Sequence, residues 1–318
     1  MGITKVGITN YCGKNFYKLI DSILKKLILF FKTTKNKKLA RAALSAIYRS
    51  HRTEPFLLKI QKQENFIVHC NELISRNVFL DGSFDFIKFE KVVSIIKTNN
   101  DMTTLVDVGA NIGSIAIPAL TRHYFKEAIL IEPEEKNFQI LMANIYLNGL
   151  IKKVTAHNIA LTDEDNSSLY LEINQDNNYG DHRIFNSLVK SDTLNEKNIR
   201  AVRGETLDKV APNLKKGNAL IWMDVQGHEG IVLNGTKQSI EKQIPIVLEF
   251  TPSFIKDNNS YDYFKLLLRY SVVYDLNEEK ITPIKFSETV LKNLFDKYYE
   301  HPKYPNVFFT DLLFLYNE

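Results

Sequence analysis

From residue 104 onward, short, mostly apolar runs alternate with longer stretches in which apolar side chains recur every three or four positions. The runs predict strands at 104–108, 128–132, 154–158, 219–224 and 245–250. The periodic stretches predict helices at about 113–123, 134–148, 228–242 and 259–270. Strands buried on both faces and separated by helices read as a parallel sheet. Upstream, residues 34–50 have helical composition, and Phe66-Ile67-Val68-His69 reads as a short strand. Asp85 to Ile96 reads as a helix presenting Phe86, Phe89, Val92, Val93 and Ile96 on one face. Pro118 is expected to kink the helix at 113–123, and Gly149 to cap the end of the helix at 134–148. An inserted hairpin is expected at Leu169–Ile173 and the Asn/Asp/Gly-rich stretch to Asp181. Ser271–Leu276 and Val307–Tyr316 look like a strand pair closing one edge.

In an open α/β sheet, ligands bind beyond the carboxyl ends of the strands, where strand order reverses. Asp107, Glu132, Asn158, Asp224 and Glu249 all close predicted strands. The turn Asp107-Val108-Gly109-Ala110-Asn111-Ile112-Gly113, followed by Ile131-Glu132-Pro133, marks the first crossover. Glycine there lets the backbone approach a ligand and take positive φ, and a carboxylate on the next strand can hold ribose hydroxyls. A dinucleotide site needs G-x-G-x-x-G; here Asn111 and Ser114 stand at the second and third glycine positions. Asp107 would repel a pyrophosphate but pair with an ammonium. A ligand with an amino-acid end and a ribose end suits both carboxylates, and S-adenosylmethionine is such a ligand.

Composition adds an asymmetry. Residues 1–60 hold thirteen Lys/Arg and two acidic residues, a balance of +11, which leaves −7 for residues 61–318 of a chain of net charge +4. This divides the chain into a basic N-terminal helical extension, 1–60, and a catalytic domain, 61–318. Residues 17–31 are apolar but interrupted by Asp21 and Lys25-Lys26, too short and too charged to span a bilayer. A helix docked on the domain, peripheral contact of residues 17–38 with an anionic membrane, and attraction to nucleic acid all fit that segment. No aromatic-interleaved basic stripe continues beyond it, so no nucleic-acid partner is expected. Two cysteines, Cys12 and Cys70, form neither a metal spacing nor a disulfide framework, which points to a reducing, cytoplasmic setting.

Asp107 to Gly113 resembles the first motif of class I methyltransferases in the form found in the FkbM family. The resemblance extends through Ile131-Glu132-Pro133, Asn158-Ile159-Ala160-Leu161, Gly180-Asp181-His182-Arg183, Thr206-Leu207-Asp208, Met223 to Glu229 and Val247-Leu248-Glu249. It covers residues 75 to 318 and departs at Gln226, where the family usually carries Glu. It implies a Rossmann-like fold with a seven-stranded, mostly parallel sheet, helices on both faces and an antiparallel last strand inserted near one edge. It also implies methyl transfer from S-adenosylmethionine, with O-methylation of a sugar, glycan or polyketide hydroxyl.

Under this reading Gly109, Asn111 and Gly113 form the turn at the methionine end, Asp107 meets the ammonium, Glu132 the ribose, and Asn158 and Ala160 the adenine. Asp224 and His228 are the acceptor-side catalytic candidates, His228 because its pKa lies near neutrality. Asp181 and His182 join them from the polar insertion, where Arg183 could hold an anionic substrate group. Glu249 is expected at the acceptor too. With Asp224 and His228 it could bind Mg²⁺, although a metal-free cleft is the preferred reading. The rivals are a nicotinamide-dependent oxidoreductase and a catalytically silent fold serving as an interaction module.

Overall fold

In the computed structural model, residues 3–4, 26, 37–51, 55–70, 72–96, 102–173, 182–185, 198–299 and 309–316 are described. Most of the basic segment 17–38 therefore lies outside the described residues, as does Asp181. No helix among the described residues is long and apolar enough to cross a membrane.

The N-terminal part is a small antiparallel sheet, β1 (Ile3–Thr4), β2 (Phe56–Ile60) and β3 (Asn65–His69), accompanied by helices Lys37–Ser50 and Leu73–Asp81. The first of these helices and β3 match expectation, whereas β2 lies in the stretch expected to be helical. Its alternation is masked by Lys59, whose buried ammonium donates to the Phe79 carbonyl at 2.6 Å and sits 5.2 Å from the Phe79 ring centre. The boundary at residue 60 thus falls inside a β-hairpin. Leu44, Ile47, Leu57, Phe66 and Phe79 belong to the same core as Phe89 and Leu105 of the following part.

Two asparagines on the helix Glu135–Leu147 and its C-cap join β3 to the rest. Asn144 accepts from the Ile67 N–H at 2.6 Å and donates to the Ile67 carbonyl at 3.1 Å. Asn148 does the same for Asn65, at 2.8 Å in each direction. One helical turn apart, their carboxamides serve alternate residues of the edge strand as a neighbouring strand would. Asn144 also donates to the Ile112 carbonyl in the turn after β4, at 3.0 Å.

The main sheet has eight strands. They are β4 (Thr104–Val108), β5 (Glu127–Ile131), β6 (Val154–His157), β11 (Ala219–Met223), β12 (Ile246–Phe250), β13 (Val272–Asp275), β14 (Ile284–Lys285) and β15 (Thr310–Leu315). Their spatial order is β14-β13-β15-β12-β11-β4-β5-β6, with β4, β5, β6, β11 and β12 parallel. The arrangement implied by the resemblance is present, with β15 inserted antiparallel between β12 and β13. The two-residue β14 makes the count eight rather than seven. Helices cover both faces. Phe86–Ile96, Ala116–Thr121 and Glu135–Leu147 pack on one; Glu229–Asn234, Tyr261–Phe264 and Glu288–Tyr299 pack on the other. The five apolar positions predicted for Phe86–Ile96 are its buried residues, and Phe89 meets the Trp222 ring of β11 at 5.6 Å.

Pro118 does not kink its helix. That helix begins at Ala116, which puts Pro118 in the first turn, where the N–H groups have no intrahelical acceptor. The helix expected at 228–242 is two, Glu229–Asn234 and Lys237–Glu241, parted at Gly235, where a Cβ would stand 2.1 Å from the Thr162 carbonyl oxygen.

The insertion is a separate sheet of four strands. In chain order these are β7 (Ala160–Leu161), β8 (Ser167–Glu172), β9 (Arg183–Phe185) and β10 (Ile199–Glu205), arranged β7-β10-β8-β9. β8 covers the first arm of the expected hairpin, the stretch 174–181 lies outside the described residues, and the strand paired with β8 is β9, beyond the expected bounds; β10 escaped notice because its arginines hide the alternation. β9 brings His182 and Arg183 back over the main sheet's carboxyl edge.

Candidate active site

β5 and β6 lie to one side of β4, and β11 and β12 to the other, so chain order reverses at the β4/β11 boundary. A cleft opens there. Gly109, Asn111, Glu132, Asn137, Asp224 and Gln226 line it from the main sheet side, Ile74 from the N-terminal part, and His182 and Ile184 from the insertion.

Three of its turn residues need positive φ: Gly109 at 84°, Asn111 at 49° and Gly113 at 89°. At Gly109 a Cβ would stand 1.9 Å from the Asp224 carbonyl oxygen, so only glycine lets β4 and β11 close together at their tips. Asn111 tolerates the left-handed region because its Oδ1 accepts from the Ile112 N–H at 2.8 Å.

Glu132 shapes the turn as well as facing the cleft. Its Oε2 accepts from the Asn111 N–H at 2.8 Å and its Oε1 from the Glu134 N–H at 2.9 Å. Burial outweighs these bonds and pushes its carboxyl up to about 8. Each oxygen retains acceptor capacity, which suits a pair of ribose hydroxyls. Asp107 is deeply buried; it accepts from the Ala116 N–H, while its Oδ2 has no partner among the described residues. Burial, and then the Asp224 charge, raise its carboxyl to about 7. A buried acceptor without a donor carries a desolvation penalty, and a bound ammonium would remove it. These residues fit S-adenosylmethionine at both ends.

Neither adenine candidate is among the residues lining the cleft. Asn158 spends its amide nitrogen on the Glu132 and Pro133 carbonyls, at 2.8 and 3.1 Å, and so braces the Glu-Pro turn. Ala160 is buried in the core of the insertion sheet with Leu169, Leu171 and Ile184. Ile74 and Asn137 instead wall the cleft. Neither carried a signal; Ile74, on the helix Leu73–Asp81, reaches the site only through the docking of the N-terminal part.

His228 is also displaced. It caps the helix Glu229–Asn234, only 2% exposed, and both ring nitrogens are buried without a partner among the described residues. Burial lowers its pKa to about 4 and leaves it neutral, outside the cleft. It is not among the cleft-lining residues. His182 does line the cleft, and the Arg183 guanidinium lies 4.2 Å from the Phe254 ring centre.

Asp224 and Glu249 do end adjacent strands, joined not by His228 but by Glu229. The three offer carboxylate oxygens within 4.8 Å of one another. Glu229 Oε1 accepts from the Val225 and Gly227 N–H groups at 3.1 and 3.3 Å, tightening the turn that precedes its helix. Glu249 accepts from the Thr251 hydroxyl at 3.0 Å. Asp311 stands opposite Glu249 in the β12–β15 register and is paired with Lys88. Burial first, and then mutual repulsion, raise the carboxyls, Asp224 to about 6, Glu229 to about 7 and Glu249 to about 9. Asp311 and Lys88 are 223 residues apart, and no local pattern announces either.

A cleft at the strand-order reversal, with a glycine turn and two carboxylates suited to opposite ends of one ligand, defines an α/β enzyme fold built for an adenosyl amino-acid cofactor. Residues 107–274 match the family described as "Methyltransferase FkbM domain", and the chain belongs to that S-adenosylmethionine-dependent methyltransferase family. Similar solved structures include a precorrin-6y C5,15-methyltransferase from Geobacter metallireducens GS-15, with 9% identity over 72% of this chain and 87% of that one and a TM-score of 0.35. TYW2 of M. jannaschii in complex with AdoMet has 13% identity over 82% and 85% of the two chains, TM-score 0.37. TYW2 of P. horikoshii in complex with MeSAdo has 14% identity over 83% and 72%, TM-score 0.36. No curated protein matches the chain.

Proposed function

We propose that the chain O-methylates a hydroxyl of a sugar, glycan or similar polyol, with Asp224 receiving the acceptor's proton. The observation that carries this reading is the position of Asp224. It lines the same cleft as Gly109, Asn111 and Glu132, on the side away from the ribose carboxylate. When bound, S-adenosylmethionine supplies an electrophilic methyl group whose transfer discharges a sulfonium. The chain's own residues align the partners and accept a proton. With the cofactor held by Asp107, Gly109 and Glu132, the proton displaced from the acceptor hydroxyl on methylation would pass to the Asp224 carboxylate. A carboxyl near 6 is largely ionised at neutral pH, and its basicity is raised above that of an ordinary aspartate.

The expected test is transfer of a labelled methyl group to a panel of neutral glycosides. Asp224→Asn should bind S-adenosylhomocysteine within about threefold of the unaltered chain yet lose on the order of 100-fold or more in turnover. Turnover at the unaltered rate would remove Asp224 from the chemistry, and a panel left wholly unlabelled would remove the sugar reading. Metal-assisted deprotonation through Asp224, Glu229 and Glu249 is the second reading, favoured by their convergence. Activity lost in EDTA and restored by Mg²⁺ would select it.

A further inference from the structure

Among the described residues, the apolar side chains lining the cleft are Ile74, Pro133, Ile184 and Val225, and they come from separate parts of the chain. Val225 follows Asp224 and packs on the core of one sheet face, and Ile184 belongs to the insertion sheet. Pro133 follows Glu132 into the helix Glu135–Leu147, which supplies Asn137 to the cleft wall. Ile74 packs on the core of the other sheet face, as do Phe138 and Met142 of that same helix, and so stands on the side of the ribose carboxylate. It precedes residues 107–274, the span that matches the family.

The corner that carries Ile74 is closely bonded. Glu72 Oε1 accepts from the Ile74 N–H at 2.8 Å, and its other oxygen accepts from the Ser75 N–H. Ser75 Oγ accepts from the His69 N–H at 3.1 Å. The Tyr48 hydroxyl accepts from the Glu72 N–H at 3.1 Å and donates to the His69 carbonyl at 2.8 Å. Tyr48, Glu72 and Ser75 are buried, whereas Ile74 is half-buried and lines the cleft. Asn144 adds a second tie, because it bonds Ile67 of β3 and also the Ile112 carbonyl of the cofactor turn.

We propose that Ile74 is a cofactor-binding residue, laid against the adenosyl group of S-adenosylmethionine, and that Tyr48, Glu72 and Ser75 are positioning residues that hold it there. The N-terminal part is then a working wall of the cofactor site. An adenosyl group presents flat, largely apolar faces, and contact with an aliphatic side chain is favourable because water leaves both surfaces. Glu132 meets the ribose hydroxyls, and Ile74 supplies the apolar contact on the same side. Cofactor binding and the order of this corner form one linked equilibrium, in which each strengthens the other by the same factor. The inference rests on the cofactor reading and is independent of the acceptor and its proton.

Calorimetry on the full chain tests it with two compounds, S-adenosylhomocysteine and methylthioadenosine, which keeps the adenosyl group and lacks the amino-acid end. Ile74→Ala is expected to weaken both alike, by about fivefold or more, and Ile74→Val, one methylene smaller, by about twofold. Glu72→Ala, which frees the corner, should weaken both by about threefold. Amide exchange gives a readout that lost stability alone would not move. S-adenosylhomocysteine should slow exchange at residues 74 and 75 in the unaltered chain, and slow it less in Ile74→Ala. Unchanged affinity for both compounds in Ile74→Ala, or a loss confined to S-adenosylhomocysteine, would overturn the proposal. Should Ile74→Ala fail to fold, Ile74→Val and Glu72→Ala decide the matter, and unweakened binding in both would overturn it. Weakened binding in Glu132→Gln beside normal binding in Ile74→Ala would defeat this inference and leave the cofactor reading standing. No binding to the folded, unaltered chain would defeat both.

Discussion

Gly109 and Asp107 show how far single side chains decide this site. A methyl group at Gly109 would meet the Asp224 carbonyl at 1.9 Å, and the residue's φ of 84° already disfavours any Cβ. Gly109→Ala is therefore expected to lose at least about 2 kcal/mol of stability and most of its affinity for S-adenosylhomocysteine, measured by chemical denaturation and calorimetry. Asp107 separates stability from binding. With Oδ2 lacking a partner among the described residues and the carboxyl raised to about 7, its charge is a burden on the protein above neutral pH. Asp107→Asn should leave the melting temperature at pH 8 equal or higher while weakening cofactor binding by about tenfold or more, roughly 1.4 kcal/mol. A mutant that binds normally would show that the ammonium is held elsewhere.

Elements carry the next level of organisation, and here Asn144 is the joint. It is fully buried and serves Ile67 twice and Ile112 once, tying the edge strand β3 to the cofactor turn. Asn144→Leu leaves three backbone groups without this partner and is expected to cost about 2–4 kcal/mol. Amide exchange should accelerate at Ile67 before it does in β4; uniform acceleration would mean that the joint is not local. The sequence made much of this scale legible, because β4, β5, β11 and β12 are mostly apolar runs whose strand character needs little context. β2 and β10 were not legible, since Lys59 and the arginines of β10 disguise their alternation. In the site, Gly109, Asn111, Glu132 and Asp224 were readable because their spacing in a strand–turn–helix unit has a geometric meaning. The displacement of His228 and Ala160 from the cleft was not, because which side of a turn or sheet a residue faces is set by packing. Lys88 and Asp311 are neighbours only through the insertion of β15 beside β12.

At the scale of the whole molecule, the carboxyl edge of the sheet gathers acids whose folded pKa values exceed the unfolded ones. Glu132 lies at about 8, Glu229 at about 7 and Glu249 at about 9. The folded state thus binds more protons than the unfolded state between about pH 4.5 and 9, and stability falls as pH rises through that window. Thermal melts of the empty protein should show a higher midpoint at pH 6 than at pH 8.5; the opposite order would mean that these groups are ionised at little cost. The cofactor's ammonium and ribose hydroxyls would offset part of that burden at Asp107 and Glu132, so stability, binding and chemistry all meet at one cleft. Calorimetric titration of S-adenosylhomocysteine into the full chain, Glu132→Gln and Asp224→Asn measures this most directly. Binding in the full chain and in Asp224→Asn, with affinity reduced about tenfold or more in Glu132→Gln, is the expected result. No heat of binding to the folded full chain, or equal affinity in all three, would contradict it.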